Sequence, residues 1–99
     1  MKRHRQYVRE QINKDPRFAR DLEKSRVEIR LAVMITLLRE KRGWSQRDLA
    51  RRTGILQPQI ARIEKGERLP SLKTLWRLAD ALNAKLVIGP HKKIEIKAA

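Results

Sequence analysis

Apolar residues recur at helical spacing along most of this chain and at strand spacing near its end. Residues 1 to 14 are basic and irregular, with Tyr7, Val8 and Ile12 as their sizeable apolar groups, which fits at most a short helix with a frayed start. Asp15-Pro16 reads as a helix start, cap then first-turn proline, leading through Phe18 and Leu22 toward Lys24. A second helix is predicted from about Ser25 to Arg42, and it carries two apolar stripes. Leu31, Ile35 and Leu38 form one; Ile29, Val33 and Leu37 form another on a different side. The second stripe needs its own cover, from Phe18 and Leu22 of the preceding helix or from a second subunit, and the first of these is favoured.

Between Trp44 and Leu72 the pattern shortens to two amphipathic helices hinged at Gly54. Ser45 is a good N-cap with Asp48 three residues on, an acidic variant of the capping box, so a helix begins at Gln46 with Leu49 and Ala50 inward. Thr53-Gly54 ends it, because glycine is free to take the left-handed conformation of a tight turn. The next helix runs from about Gln57 to Glu64, with Ile60 and Ile63 inward, Gln57, Gln59 and Arg62 outward, and Pro58 in its first turn. After Ser71, the apolar residues Leu72, Leu75, Trp76, Leu78, Ala79 and Leu82 mark a last helix that Asn83 ends. Both tryptophans, Trp44 and Trp76, are expected in the core.

The period then changes. Lys85 to Ile88 is β-rich, Gly89-Pro90 breaks it, and Ile94 to Lys97 alternates as a half-buried strand does. Two short strands are marginal alone. Leu86, Val87, Ile88, Ile94 and Ile96 are therefore expected to form a dimerisation edge pairing with a second subunit. Three segments follow: a helical extension (1 to 28), a central helical domain (29 to 84) and a C-terminal β segment (85 to 99).

Composition changes the picture in one direction. A chain of 99 residues with a formal net charge of +14 is one small domain with a modest core and a need for a polyanionic partner. It has no cysteine, which excludes disulfides and zinc–thiolate sites. No apolar stretch approaches the roughly 18 residues of a membrane span and no signal peptide is visible, so a cytoplasmic protein without a membrane partner is expected. His4 and His91 lie far apart, Asp21 and Glu23 face different sides of a helix, and no phosphate loop or nucleophile motif occurs. The inventory points away from an enzyme and implies no metal or cofactor. With only four aromatic residues, a base-stacking platform for RNA is poorly supported.

The segment from Ser45 to Leu82 resembles the Xre/Cro/CI class of helix-turn-helix proteins, which includes the lambdoid phage repressors. Its pattern is present as Ser45-Gln46, Leu49-Ala50, Gly54, Ile60, Ile63-Glu64, Gly66, Pro70-Ser71, Thr74-Leu75 and Leu78 to Leu82. Leu56 departs from it, standing where the class usually has a capping Ser or Thr. The resemblance implies an all-α, lambda-repressor-like domain of five to six helices, here with an N-terminal helical extension and a short C-terminal β-strand or hairpin. It implies base contacts from Gln57, Pro58, Gln59 and Arg62, since Gln can pair with adenine and Arg with guanine in the major groove. Gln46, Arg42, Arg47, Lys65, Arg68 and Lys73 fall near the implied phosphate path, whereas Arg51 and Arg52 read as free surface. Arg39 and Glu64 match positions that form a structural salt bridge in the phage repressors.

The wider order of elements, a D-P-x-F segment followed by a long helix, the motif and a short strand, is similar to HigA-type antitoxins. That likeness implies a homodimer that binds double-stranded operator DNA, represses its own operon and neutralises a RelE-like ribonuclease toxin; a stand-alone repressor is the alternative. Residues 1 to 28 carry nine Lys/Arg and five Asp/Glu. Within them Tyr7, Val8, Ile12, Phe18 and Leu22 are the expected toxin contacts.

Overall fold

In the computed structural model, residues 16–91 and 93–99 are described, with side chains from residue 26 onward. The order of elements is α1 (Pro16–Lys41), α2 (Gln46–Thr53), α3 (Gln57–Glu64), α4 (Leu72–Ala81), β1 (Ala84–Gly89) and β2 (Lys93–Ala98). Among the described residues there are four helices, not five to six.

The difference lies at Ser25. Two helices were expected to meet there, and instead one helix of 26 residues passes through. Ser25 has neither glycine nor proline beside it. A serine inside a helix costs only a few tenths of a kcal/mol, so propagation continues. The expected segment boundary after residue 28 falls inside this helix. Phe18 and Leu22 therefore belong to the same helix as Ile29, Val33 and Leu37 and cannot fold back over them; those three are all more than half exposed.

The opposite face of α1 fills the core. Leu31 and Ile35 are buried there with Leu49 of α2, Ile60 and Ile63 of α3, and Leu75, Leu78 and Leu82 from α4 and its C-cap. The elements close into a ring around this cluster: α3 packs on α1, α1 on β2, β2 on β1, β1 on α4, α4 on α2, and α2 on α3. The reading helix expected from the sequence, α3, thus lies across the ring from β1.

The strands correct a second expectation. β1 and β2 pair with each other as an antiparallel hairpin, with Leu86 opposite Ile96 and Ile88 opposite Ile94. Ile96 is completely buried in the core of its own chain, and Leu86 and Ile94 pack partly buried against that core. The hairpin is held down by α1 and α4, which supply the apolar surface that a two-stranded sheet lacks. Arg30 of α1 adds an ion pair to Glu95 at 3.8 Å. Of the five residues expected at a dimer edge, Ile96 is withdrawn into the chain's own interior, and Ile88 alone is mostly exposed.

Removing Ile96 should therefore act on the fold of each protomer. Ile96→Ala is expected to destabilise by about 2–4 kcal/mol, the usual range for emptying a fully buried aliphatic site. Urea unfolding followed by circular dichroism measures it, and a loss below about 1 kcal/mol would place the hairpin outside the cooperative unit.

Candidate nucleic-acid interface

The surface that could meet DNA is built on the α2–turn–α3 unit, and its local chemistry fixes both helix starts. At α2, the Ser45 hydroxyl accepts from the Asp48 amide at 3.0 Å, while the Asp48 carboxylate accepts from the Ser45 amide at 2.8 Å. The capping box is complete. The Ser45 amide first, then Arg51 and the Ser45 hydroxyl, pull the Asp48 carboxyl down from 3.8 to about 2. Gly54 ends α2 at φ +73°, donating its amide to the Ala50 carbonyl, and the chain enters α3 through Leu56 without a side-chain cap. Leu56 is 74% exposed.

Helix α3 turns Ile60 and Ile63 inward. Gln57, Pro58 and Arg62 are exposed and Gln59 is half-buried, so the residues expected at the bases sit on the helix's outer side. The helix is pinned at its C-terminal end. The Arg39 guanidinium donates to both Glu64 carboxylate oxygens, at 2.8 and 2.9 Å, and to the Trp44 carbonyl at 2.7 Å. Side-chain exposures of 12% for Arg39 and 5% for Glu64 make this a desolvated pair. Hydrogen bonding to Glu64 raises the Arg39 pKa further, against the opposing pull of burial. Gln46 donates to the same carboxylate at 3.3 Å, so the first residue of α2, the end of α1 and the end of α3 converge on Glu64.

Arg47, Lys65, Arg68 and Lys73 are exposed, and none is paired with a carboxylate among the described residues. Arg42, also expected in the phosphate set, is exposed and makes contacts within the chain. It donates to the Leu82 carbonyl at 2.9 Å, where α4 ends, and lies 5.1 Å from the Trp44 ring centre. Arg51 and Arg52 also have duties: Arg51 bonds Asp48, and Arg52 stacks 4.1 Å over Trp44. Trp44 is half-buried between two arginines, a cation–π arrangement that the closeness of Arg42 to Trp44 in sequence hints at. Trp76, expected in the core, is 69% exposed on α4.

Tyr7, Val8 and Ile12 lie outside the described residues, and Phe18 and Leu22 lie on α1 where side chains are not described. Among the described residues no group of three His, Asp or Glu side chains could hold a metal ion, and no helix is long and apolar enough to cross a membrane.

The helix-turn-helix family model HTH_3 matches residues 35–88. The HTH-type transcriptional regulator SutR of Escherichia coli is 40% identical over 53 residues, covering 54% of this chain and 30% of its own. The antitoxin HigA1 of Mycobacterium tuberculosis is 39% identical over 80 residues, covering 81% of this chain and 54% of its own. In the crystal structure of an HTH_3 family transcriptional regulator from Vibrio cholerae, the similar fold has a TM-score of 0.60 at 32% identity, over 63% of this chain and 35% of that one. The chain thus spans about half or less of the length of these relatives.

Two outcomes follow from the geometry. Glu64→Ala strips the carboxylate from a desolvated guanidinium and should cost about 3 kcal/mol in urea unfolding; a loss indistinguishable from zero would mean that the pair does not hold α3. For Asp48, the capping contribution is fully present above the ordinary carboxylate value and lost as pH falls through about 2. A side-chain NMR titration should find its midpoint near 2, and an unshifted midpoint would mean that the box is open in solution.

Proposed function

The chain belongs to the HTH_3 helix-turn-helix family, and on that premise we propose that it is a sequence-specific regulator reading double-stranded operator DNA through α3. The observation that carries this is the pinning of α3 by the Arg39–Glu64 pair with Gln57, Gln59 and Arg62 outside the core. Arg62 can pair with guanine O6 and N7, and Gln57 with adenine N6 and N7. Pro58 has no donor, and with exposed Leu56 it offers apolar contact to thymine methyls. Gln46, at the N-terminus of α2, with Arg47, Lys65, Arg68 and Lys73, would bind phosphates. One short helix reads few base pairs, so the protein works as a homodimer on a palindrome, with half-sites one turn, roughly 34–36 Å, apart. The role is binding, without catalysis.

We further propose that it acts as an antitoxin, repressing its own operon and neutralising a RelE-like ribonuclease toxin. Likeness to HigA1 runs over 80 residues, which is longer than the 35–88 helix-turn-helix segment, and so reaches beyond the part needed for DNA. The apolar face of α1, Ile29, Val33 and Leu37, is exposed, and positions 22 and 18 fall on the same face by helical period; the sequence adds Tyr7, Val8 and Ile12. These residues together are the proposed toxin contact. Likeness to SutR over the DNA-binding segment supports the alternative of a regulator with no toxin.

Arg62→Ala should cost about 1–3 kcal/mol on the cognate operator and relax preference at one position. Lys65→Ala should weaken all sequences alike and flatten the salt slope by about one unit. Titrations at several salt concentrations separate them, and identical behaviour of the two variants would refute the assigned reading face. For the antitoxin reading, the measurement is co-expression with a ribonuclease encoded beside this chain. Cells carrying a chain that lacks residues 1 to 14 should die while operator binding persists; survival equal to the full chain would move the docking surface elsewhere.

A further inference from the structure

A second apolar surface lies on α4 and β1. Leu72, Trp76 and Ile88 are each more than half exposed, and with Ala79, Asp80, Ala84 and Leu86 they line a groove of about 460 Å³. Trp76 thus stands, 69% exposed, beside a hollow whose lining includes two alanines. Knob and hole on one surface are what an isologous two-fold interface requires, because the same patch must serve both partners.

We propose that this groove is the homodimer interface, with the indole of Trp76 from each copy seated in the groove of the other. The inference rests on the reading of the chain as a palindrome-binding regulator and supplies the surface that reading lacks. Position supports it: β1 lies across the ring of elements from α3, so pairing here leaves both reading helices uncovered. Charge supports it as well. Asp80 lines the groove, while Arg77 stands beside Leu72 and Trp76. Each copy therefore presents both signs, which suits a second copy of this chain and disfavours an anionic membrane or a nucleic acid, either of which would meet the carboxylate. Area is adequate. A tryptophan and two aliphatic side chains, each largely exposed, offer a few hundred Å² per protomer, and with the groove walls two copies reach the roughly 1,000 Å² of a specific interface.

The test is sedimentation of the full chain without DNA, with circular dichroism as the check on folding. The wild type should be dimeric at micromolar concentration. Trp76→Ala and Ile88→Glu should each weaken the dimer by at least about 30-fold, the loss expected of a central aromatic anchor, with unchanged helical content. Val33→Glu, on the outer face of α1, should leave the dimer intact. Folded Trp76→Ala and Ile88→Glu variants that remain dimeric would overturn the proposal, as would Val33→Glu giving monomers while Trp76→Ala does not. Half-site DNA titrations keep the two readings apart. Monomeric Trp76→Ala that still binds a half-site supports both, a wild-type monomer that binds DNA overturns the groove alone, and a dimer that ignores DNA overturns the regulator.

Discussion

The bidentate contact between Arg39 and Glu64 fixes the orientation on which the rest of the structure depends. It joins α1 to the last residue of α3, and its third guanidinium nitrogen reaches the Trp44 carbonyl at the entrance to α2. A desolvated ion pair is a poor source of net stability, since the cost of removing both charges from water offsets their attraction. Its worth is directional. Hydrophobic burial of Ile60 and Ile63 would tolerate α3 at several rotations, whereas two parallel N–H···O bonds accept one. A single carboxylate thereby orders three elements, and Gln46 adds the start of α2 to the same anchor.

Trp44 extends the same logic outward. Its carbonyl takes Arg39, its ring carries Arg52, and Arg42 beside it reaches the end of α4. Two exposed arginines thus also serve the fold, one at the end of α4 and one on the Trp44 ring. Around the α2–α3 unit and the start of α4, Arg47, Lys65, Arg68 and Lys73 are exposed and have no carboxylate partner among the described residues. In a chain of net charge +14 the number of cations is not limiting; which of them are free is what shapes the surface.

The centre of the fold was legible in the sequence because its signals are local. Ser45 with Asp48, glycine at 54, and Ile60 with Ile63 each act within one turn, and the helix boundaries follow them closely. What sequence reading missed depends on partners distant along the chain. Ser25 read as the start of a second helix, though nothing around it stops the first. The strands read as an intersubunit edge because part of the surface that covers them, the part over β2, belongs to α1, more than fifty residues earlier. Trp76 could have been found: at about 100° per residue, Leu75, Leu78 and Leu82 fall within about 60° of one another, while Trp76 lies about 100° from Leu75. Six apolar residues in one short helix exceed what a single core face needs.

The helical period of α1 likewise leaves a small domain with two exposed apolar surfaces. Leu31 and Ile35 point one way, and Ile29, Val33 and Leu37 point almost the other. A core of a dozen side chains has no room for both sets, so the outer stripe remains outside as the α4–β1 groove does. Exposed Trp, Ile, Leu and Val would drive indiscriminate association in a neutral chain. Here charge opposes it: strong mutual repulsion leaves only those encounters whose geometry brings apolar surface and opposite charges together. The net charge of +14 that suits a polyanionic partner thus also opposes indiscriminate association through these apolar surfaces.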